Sequence, residues 1–130
     1  MKKALFIAFV LTCLSGATLS MAQGPFQQTK ASAGDQAKLT KLEKAYKAAK
    51  AALAKSPKNA KAKKDFASIG TAYGHESMVS PVLGAKVKYA QALRIYREVL
   101  KVDPTQATAK SESDLIISIY KQMGRPIPKD

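Results

Sequence analysis

The sequence predicts an all-α protein of about four helices arranged as antiparallel pairs behind an N-terminal export segment. Three observations carry that expectation. Apolar residues return at steps of three and four along most of the chain, the period of an amphipathic helix. Proline and glycine fall between the periodic stretches, where they punctuate helices. The chain also partly repeats itself after 47 residues, which points to stacked helical units.

A length of 130 residues allows one small domain. Lys2 and Lys3 precede the apolar run Ala4 to Leu11 and a weaker continuation to Leu19. Ser20-Met21-Ala22 then puts small residues at the −3 and −1 positions of a cut before Gln23. Residues 1–22 thus have the layout of a secretory signal peptide, and the run is shorter than the roughly 20 residues a membrane span needs. A signal-anchored form is the alternative. Lipidation at Cys13 is a weaker one, because Thr12 stands where a small Gly or Ala is expected. A cut after Ala22 leaves a chain without cysteine, hence without disulfides. The expected location is periplasmic or secreted, with no membrane span after cleavage.

Residues 23–34 (QGPFQQTKASAG) lack an apolar period and read as a flexible leader. The helical domain is expected over 35–124, with a short tail at 125–130. The first helix begins near Asp35 or at Thr40, where Thr40-x-x-Glu43 has capping-box spacing. Its apolar stripe is Leu39, Leu42, Tyr46, Ala49 and Leu53, and Ser56-Pro57 stops it. A second helix from about Asn59 to Tyr73 turns Ala62, Phe66, Ile69 and Tyr73 inward, and Gly74 is expected to end it. Residues 74–84 (GHESMVSPVLG) read as a loop. The third helix, about Lys86 to Val102, directs Tyr89, Ala92, Leu93, Tyr96, Val99 and Leu100 inward. Asp103-Pro104 stops it and starts a fourth, with Leu115, Ile116, Ile119, Tyr120 and Met123 inward and Gly124 and Pro126 at its close.

Shifted by 47 residues, Gln36 to Tyr73 aligns with Leu83 to Tyr120. Ala45, Leu53, Pro57, Ile69 and Tyr73 meet Ala92, Leu100, Pro104, Ile116 and Tyr120. The segment Tyr89-Ala-Gln-Ala92-Leu93-Arg-Ile-Tyr96-Arg-Glu-Val99-Leu100-Lys-Val-Asp103-Pro104 resembles the second helix of a tetratricopeptide repeat. Phe66, Ile69, Gly70 and Tyr73 resemble the first helix of the same unit. The resemblance covers about Asp35 to Gly124. It implies a small right-handed solenoid fragment flanked by half-repeats. Both the Pro57–Phe66 and Tyr73–Tyr89 spacings exceed the family's, which leaves a four-helix bundle as the alternative architecture. The resemblance also implies a groove for a partner's peptide, presented by Lys64, Ser68 and Thr71 with His75 at its rim.

Charge is uneven. Net charge is +13, and residues 30–64 hold eleven lysines against Asp35 and Glu43. Lys38, Lys41, Lys44, Lys47 and Lys50 form a candidate basic face for an anionic envelope polymer or lipid. That stretch has no arginine and a single aromatic, Tyr46, which argues against sequence-specific readout of nucleic acid. His75 is the only histidine, so metal ligation lacks partners. His75-Glu76-Ser77 is a local run in an expected loop, not a triad converging from separate elements. The expectation is no catalysis, no cofactor and no metal. Two functions follow: an exported protein-interaction module or scaffold, or a basic protein adhering to an anionic envelope component.

Overall fold

A computed structural model describes residues 30–129 and contains four helices and no strand among them: α1 (Ala33–Lys55), α2 (Ala60–Val79), α3 (Ala85–Val102) and α4 (Ala107–Gln122). The export segment and most of the leader lie outside the described residues. Helix α1 starts earlier than expected because Ser32, not Asp35 or Thr40, is its cap. Ser32 Oγ accepts the Asp35 N–H at 3.1 Å, and Asp35 Oδ2 accepts the Ser32 N–H at 2.9 Å. This reciprocal box satisfies two otherwise orphaned donors. Thr40 sits inside the helix, its hydroxyl accepting from Gln36 Nε2.

The largest correction concerns α2. It does not stop at Gly74 but continues to Val79, so the first six residues of the expected loop are helical. Glycine in a helix interior costs about 1 kcal/mol relative to alanine, and packing offsets that cost here. A Cβ at Gly74 would clash with the Tyr96 ring, 2.9 Å from Cδ1 and from Cζ and closer still to Cε1. A Cβ at Gly70 would lie 2.5 Å from Val99 Cγ2. The two glycines, one turn apart, are seats for α3 side chains. Pro81 supplies the actual stop: Ser80 takes an extended ψ of 131°, as a residue before proline prefers.

Pro57 and Pro104 lie in the turns and not at the first helical positions. Asn59 caps α2 through its side chain, accepting the Ala62 N–H at 3.0 Å. Asp103 folds its turn by accepting from the Thr105 N–H and hydroxyl. Helix α4 closes as expected at Gly124, whose φ is +61°. The Arg125 N–H reaches the Tyr120 carbonyl and the Gly124 N–H reaches that of Lys121, the paired bonds of a Schellman end. The tail then returns to the domain, where Arg97 Nη1 donates to the Pro128 carbonyl at 2.7 Å and Ile127 packs on the core.

The core is centred on α3. Ala92, Leu93, Ile95, Tyr96 and Val99 are buried there, joined by Tyr46 from α1, Phe66 and Tyr73 from α2, and Ala109 and Ile116 from α4. Tyr46 stacks at a tilt on both Phe66 and Tyr73, with ring centroids 5.5 and 5.4 Å apart. Leu115 and Met123, expected inside, are instead 52% and 56% exposed. Each helix packs on the next, and α2 also touches α4, while the backbones of α1 and α4 do not meet. The helices therefore form an open stack, not a closed four-helix ring.

The 47-residue period is realised in the turns. Helices α1 and α3 end at Lys55 and Val102, and α2 and α4 begin at Ala60 and Ala107. Both separations equal the period. The chain is thus two helical hairpins, α1–α2 and α3–α4, with residues 80–84 between them.

Candidate functional site

The candidate groove residues share one face of α2. Lys64, Ser68, Thr71 and His75 recur at steps of four, three and four, so at about 100° per residue they fall in one narrow sector. Lys64, Ser68 and His75 are exposed and Thr71 is half-buried. Thr71 returns its hydroxyl to the Ala67 carbonyl at 2.7 Å. On α4 the equivalent positions are Ser111, Leu115, Ser118 and Gln122, and Leu115 is the one apolar residue on this combined face. Such a surface offers hydrogen bonds but little apolar area to remove from water.

His75-Glu76-Ser77 splits in three directions. His75 Nδ1 lies 2.8 Å from Glu112 Oε1 on α4. Glu76, buried, meets Lys38 of α1 at 2.5 Å. Ser77, fully buried, donates to the Tyr73 carbonyl at 2.8 Å and accepts from Gln91 Nε2. Because consecutive helical residues face apart, the three side chains do not converge on a common point. No group of three or more His, Cys, Asp or Glu positioned to hold a metal occurs among the described residues.

The five lysines of the candidate basic face are divided. Each step of three turns a residue back by about 60°, so the series Lys38 to Lys50 winds around α1 instead of covering one side. Lys38 and Lys50 flank the apolar stripe and, though exposed, reach glutamates of the neighbouring helices. Lys38 pairs with Glu76, and Lys50 with Glu98 of α3 at 2.5 Å. Lys47 pairs within its own helix with Glu43 at 2.6 Å. Lys41 and Lys44 have no ion pair among the described residues.

Glutamates pin the helices together. Glu98 accepts from both Lys50 and the Tyr46 hydroxyl, each at 2.5 Å. Burial raises the Glu98 carboxyl, but hydrogen bonds from Lys50 and Tyr46 and the charge of Lys50 outweigh it and hold the group below the usual glutamate range. Glu112 accepts from the Tyr96 hydroxyl on one oxygen while His75 faces the other. Burial first, then the neighbouring glutamate, pushes the phenols of Tyr46 and Tyr96 far above the ordinary tyrosine value.

A second surface was not anticipated. Ala45, Ala48, Ala49 and Ala52 of α1 face Ala62 and Ile69 of α2 across a trough of about 550 Å³. Its location is explained by the repeat. Ala48, Ala49 and Ala52 align with Ile95, Tyr96 and Val99, and Asp65 with Glu112. In the second hairpin those residues are where α2 sits: Gly70 against Val99, Gly74 against Tyr96, and His75 against Glu112. The trough is therefore the first hairpin's counterpart of the α2 seat, walled on α1 by alanine, edged by Lys61 and Asp65, and unfilled among the described residues. Lys41 and Lys55 extend the line Ala45–Ala48–Ala52 at helical spacing, and Lys44 stands one turn from Ala48. None of these three lysines has an ion pair among the described residues. The repeat alignment held the signal, in alanine standing opposite Ile, Tyr and Val.

The chain matches no protein-family model, no curated protein and no solved structure. No helix among the described residues is long and apolar enough to cross a membrane.

Proposed function

We propose that the chain is an exported, non-catalytic interaction module of tetratricopeptide-like construction, and that its α1–α2 trough receives an α-helix of a partner protein. One observation carries this reading. Two equivalent seats exist: in the second hairpin the chain fills the seat with its own α2, whereas no described residue fills the first. Alanine walls permit close helix approach, and Lys41, Lys44 and Lys55 favour a partner helix with acidic residues beside a small or apolar stripe. The Lys2-Lys3 start, the apolar run and Ser20-Met21-Ala22 support export to the periplasm or beyond. The α2 face of Lys64, Ser68, Thr71 and His75 is the less favoured docking surface, because a polar sheet gains little from desolvation.

The test is capture from the envelope fraction by the mature protein, compared with A48E/A52E and with S68A/T71A. A partner lost from the trough variant and kept by the α2-face variant supports the reading. Equal capture by all three proteins rejects it.

A second reading is favoured by Lys41 and Lys44, which have no ion pair among the described residues: adhesion to an anionic envelope polymer or lipid. Binding of that kind collapses between low and moderate salt and is lost when Lys38, Lys41, Lys44 and Lys47 become Gln. A trough contact survives the salt and fails only with the alanine changes.

A further inference from the structure

The opposite end of the stack carries a cavity that neither reading uses. It encloses about 290 Å³ between the start of α3 and the end of α4, lined mainly by Tyr89, Ile119, Tyr120 and Met123. That volume sits at the lower edge of the range of small-molecule sites, about 300 Å³, and is too small for a docked helix. Lys86 and Arg125 line the same cavity, and neither has an ion pair among the described residues.

The repeat explains why the space exists. At the matching corner of the first hairpin, Leu39 is buried, and the Lys38–Glu76 pair spans α1 and α2 at 2.5 Å. In the second hairpin, Lys86 stands where Leu39 stood, and Ala85 and Met123 replace the ion pair. The filler and the bridge are both gone, and a cation has taken the filler's position. Arg125 is brought there by the chain reversal at Gly124. Its N–H bonds the Tyr120 carbonyl at 3.0 Å, which fixes the arginine backbone beside the tyrosine that lines the cavity.

We propose that this corner binds a small amphipathic carboxylate, with its apolar body among Tyr89, Ile119, Tyr120 and Met123 and its carboxylate between Lys86 and Arg125. An apolar lining selects a body that leaves water, and two cations at one site select a single negative head. A neutral molecule of the same length forfeits the charge-assisted bonds, and a bare anion forfeits the burial.

Methyl and amide NMR of the mature protein, titrated with octanoate, octanol and acetate, tests this. Octanoate shifts the Met123 and Ile119 methyl signals saturably; octanol binds at least about tenfold more weakly through the loss of one charge-assisted bond, and acetate at least about tenfold more weakly through the loss of apolar burial. K86Q/R125Q lowers octanoate affinity by about tenfold or more and leaves octanol unchanged. A85W, at an exposed first-turn position, fills the space and removes the response. Octanol binding as tightly as octanoate would reduce the site to an apolar void, and acetate reproducing the shifts would reduce it to a generic anion contact. Either result overturns the proposal, as does octanoate binding that K86Q/R125Q leaves intact. Loss of trough binding in A48E/A52E has no bearing on these signals, so this proposal and the proposed function fail separately.

Discussion

The two hairpins share their connection and differ in what fills their seats. Residues 56–59 and 103–106 turn the chain in the same register. Yet α3 projects Ile95, Tyr96 and Val99 where α1 projects Ala48, Ala49 and Ala52. The second hairpin spends large side chains on holding α2 against glycine. The first presents methyl groups to a seat that no described residue fills, and Lys41, Lys44 and Lys55 are exposed around it. Stability and availability are thus assigned to different copies of one unit.

The sharpest way to break that comparison is at Tyr96. Tyr96→Ala removes a fully buried ring and should cost about 3–5 kcal/mol. Ala52→Val, which builds the aligned Val99 side chain into the first hairpin, should stay within about 0.5 kcal/mol. Urea unfolding followed by circular dichroism measures both, and equal costs would erase the distinction between the seats.

Gly74→Ala comes next. In an ordinary helix the change gains about 1 kcal/mol, but the new methyl meets the Tyr96 ring, so a net loss of about 1–3 kcal/mol is expected from overpacking. A stabilised variant would mean that the ring moves aside freely. Lys38→Met leaves the buried Glu76 carboxylate without its partner, at a cost of about 1–3 kcal/mol. Lys38 is itself well exposed, which favours the lower end by solvent screening.

The pH profile sharpens the contrast further. Tyr46 and Tyr96 have raised phenols in the fold, so their contribution is complete below about pH 10, the unfolded tyrosine value. It declines above that, where only the unfolded chain releases the proton. Tyr46→Phe should flatten the alkaline slope. Glu98 is held low, so its contribution is present above the unfolded glutamate value of about 4.3. That contribution is lost as pH falls through the folded value, and Glu98→Gln should remove this part of the acid dependence. An unchanged alkaline slope in Tyr46→Phe would mean that neither burial nor the bond to Glu98 raises the phenol in the fold.

Much of this architecture was legible because it is local. The stripe Leu39, Leu42, Tyr46, Ala49 and Leu53 turns inward as its spacing implies, and Pro57 and Pro104 interrupt the chain one period apart. The failures have tertiary causes. Gly74 carries a strong local stop signal, and only the Tyr96 ring, 22 residues on, explains why the helix ignores it. Ser32-x-x-Asp35 closes a box with aspartate where glutamate or glutamine is the usual third-position partner, so its spacing was easily passed over. Lys64, Ser68 and Thr71 share one side of α2, and the helix's continuation past Gly74 adds His75 to them. Its engagement with Glu112 depends on how α4 lies, which no spacing within α2 encodes. The alanine trough is an absence of bulk, visible only when one copy of the repeat is laid over the other.

Turns that recur in strict register make the molecule extensible. Splicing a second copy of residues 38–84, one 47-residue period, ahead of Ala85 would hand the original α2 an alanine-walled seat while leaving α3 its glycine-bearing neighbour. The longer protein should melt as a graded array, with its alanine-rich units opening before the tyrosine-centred one.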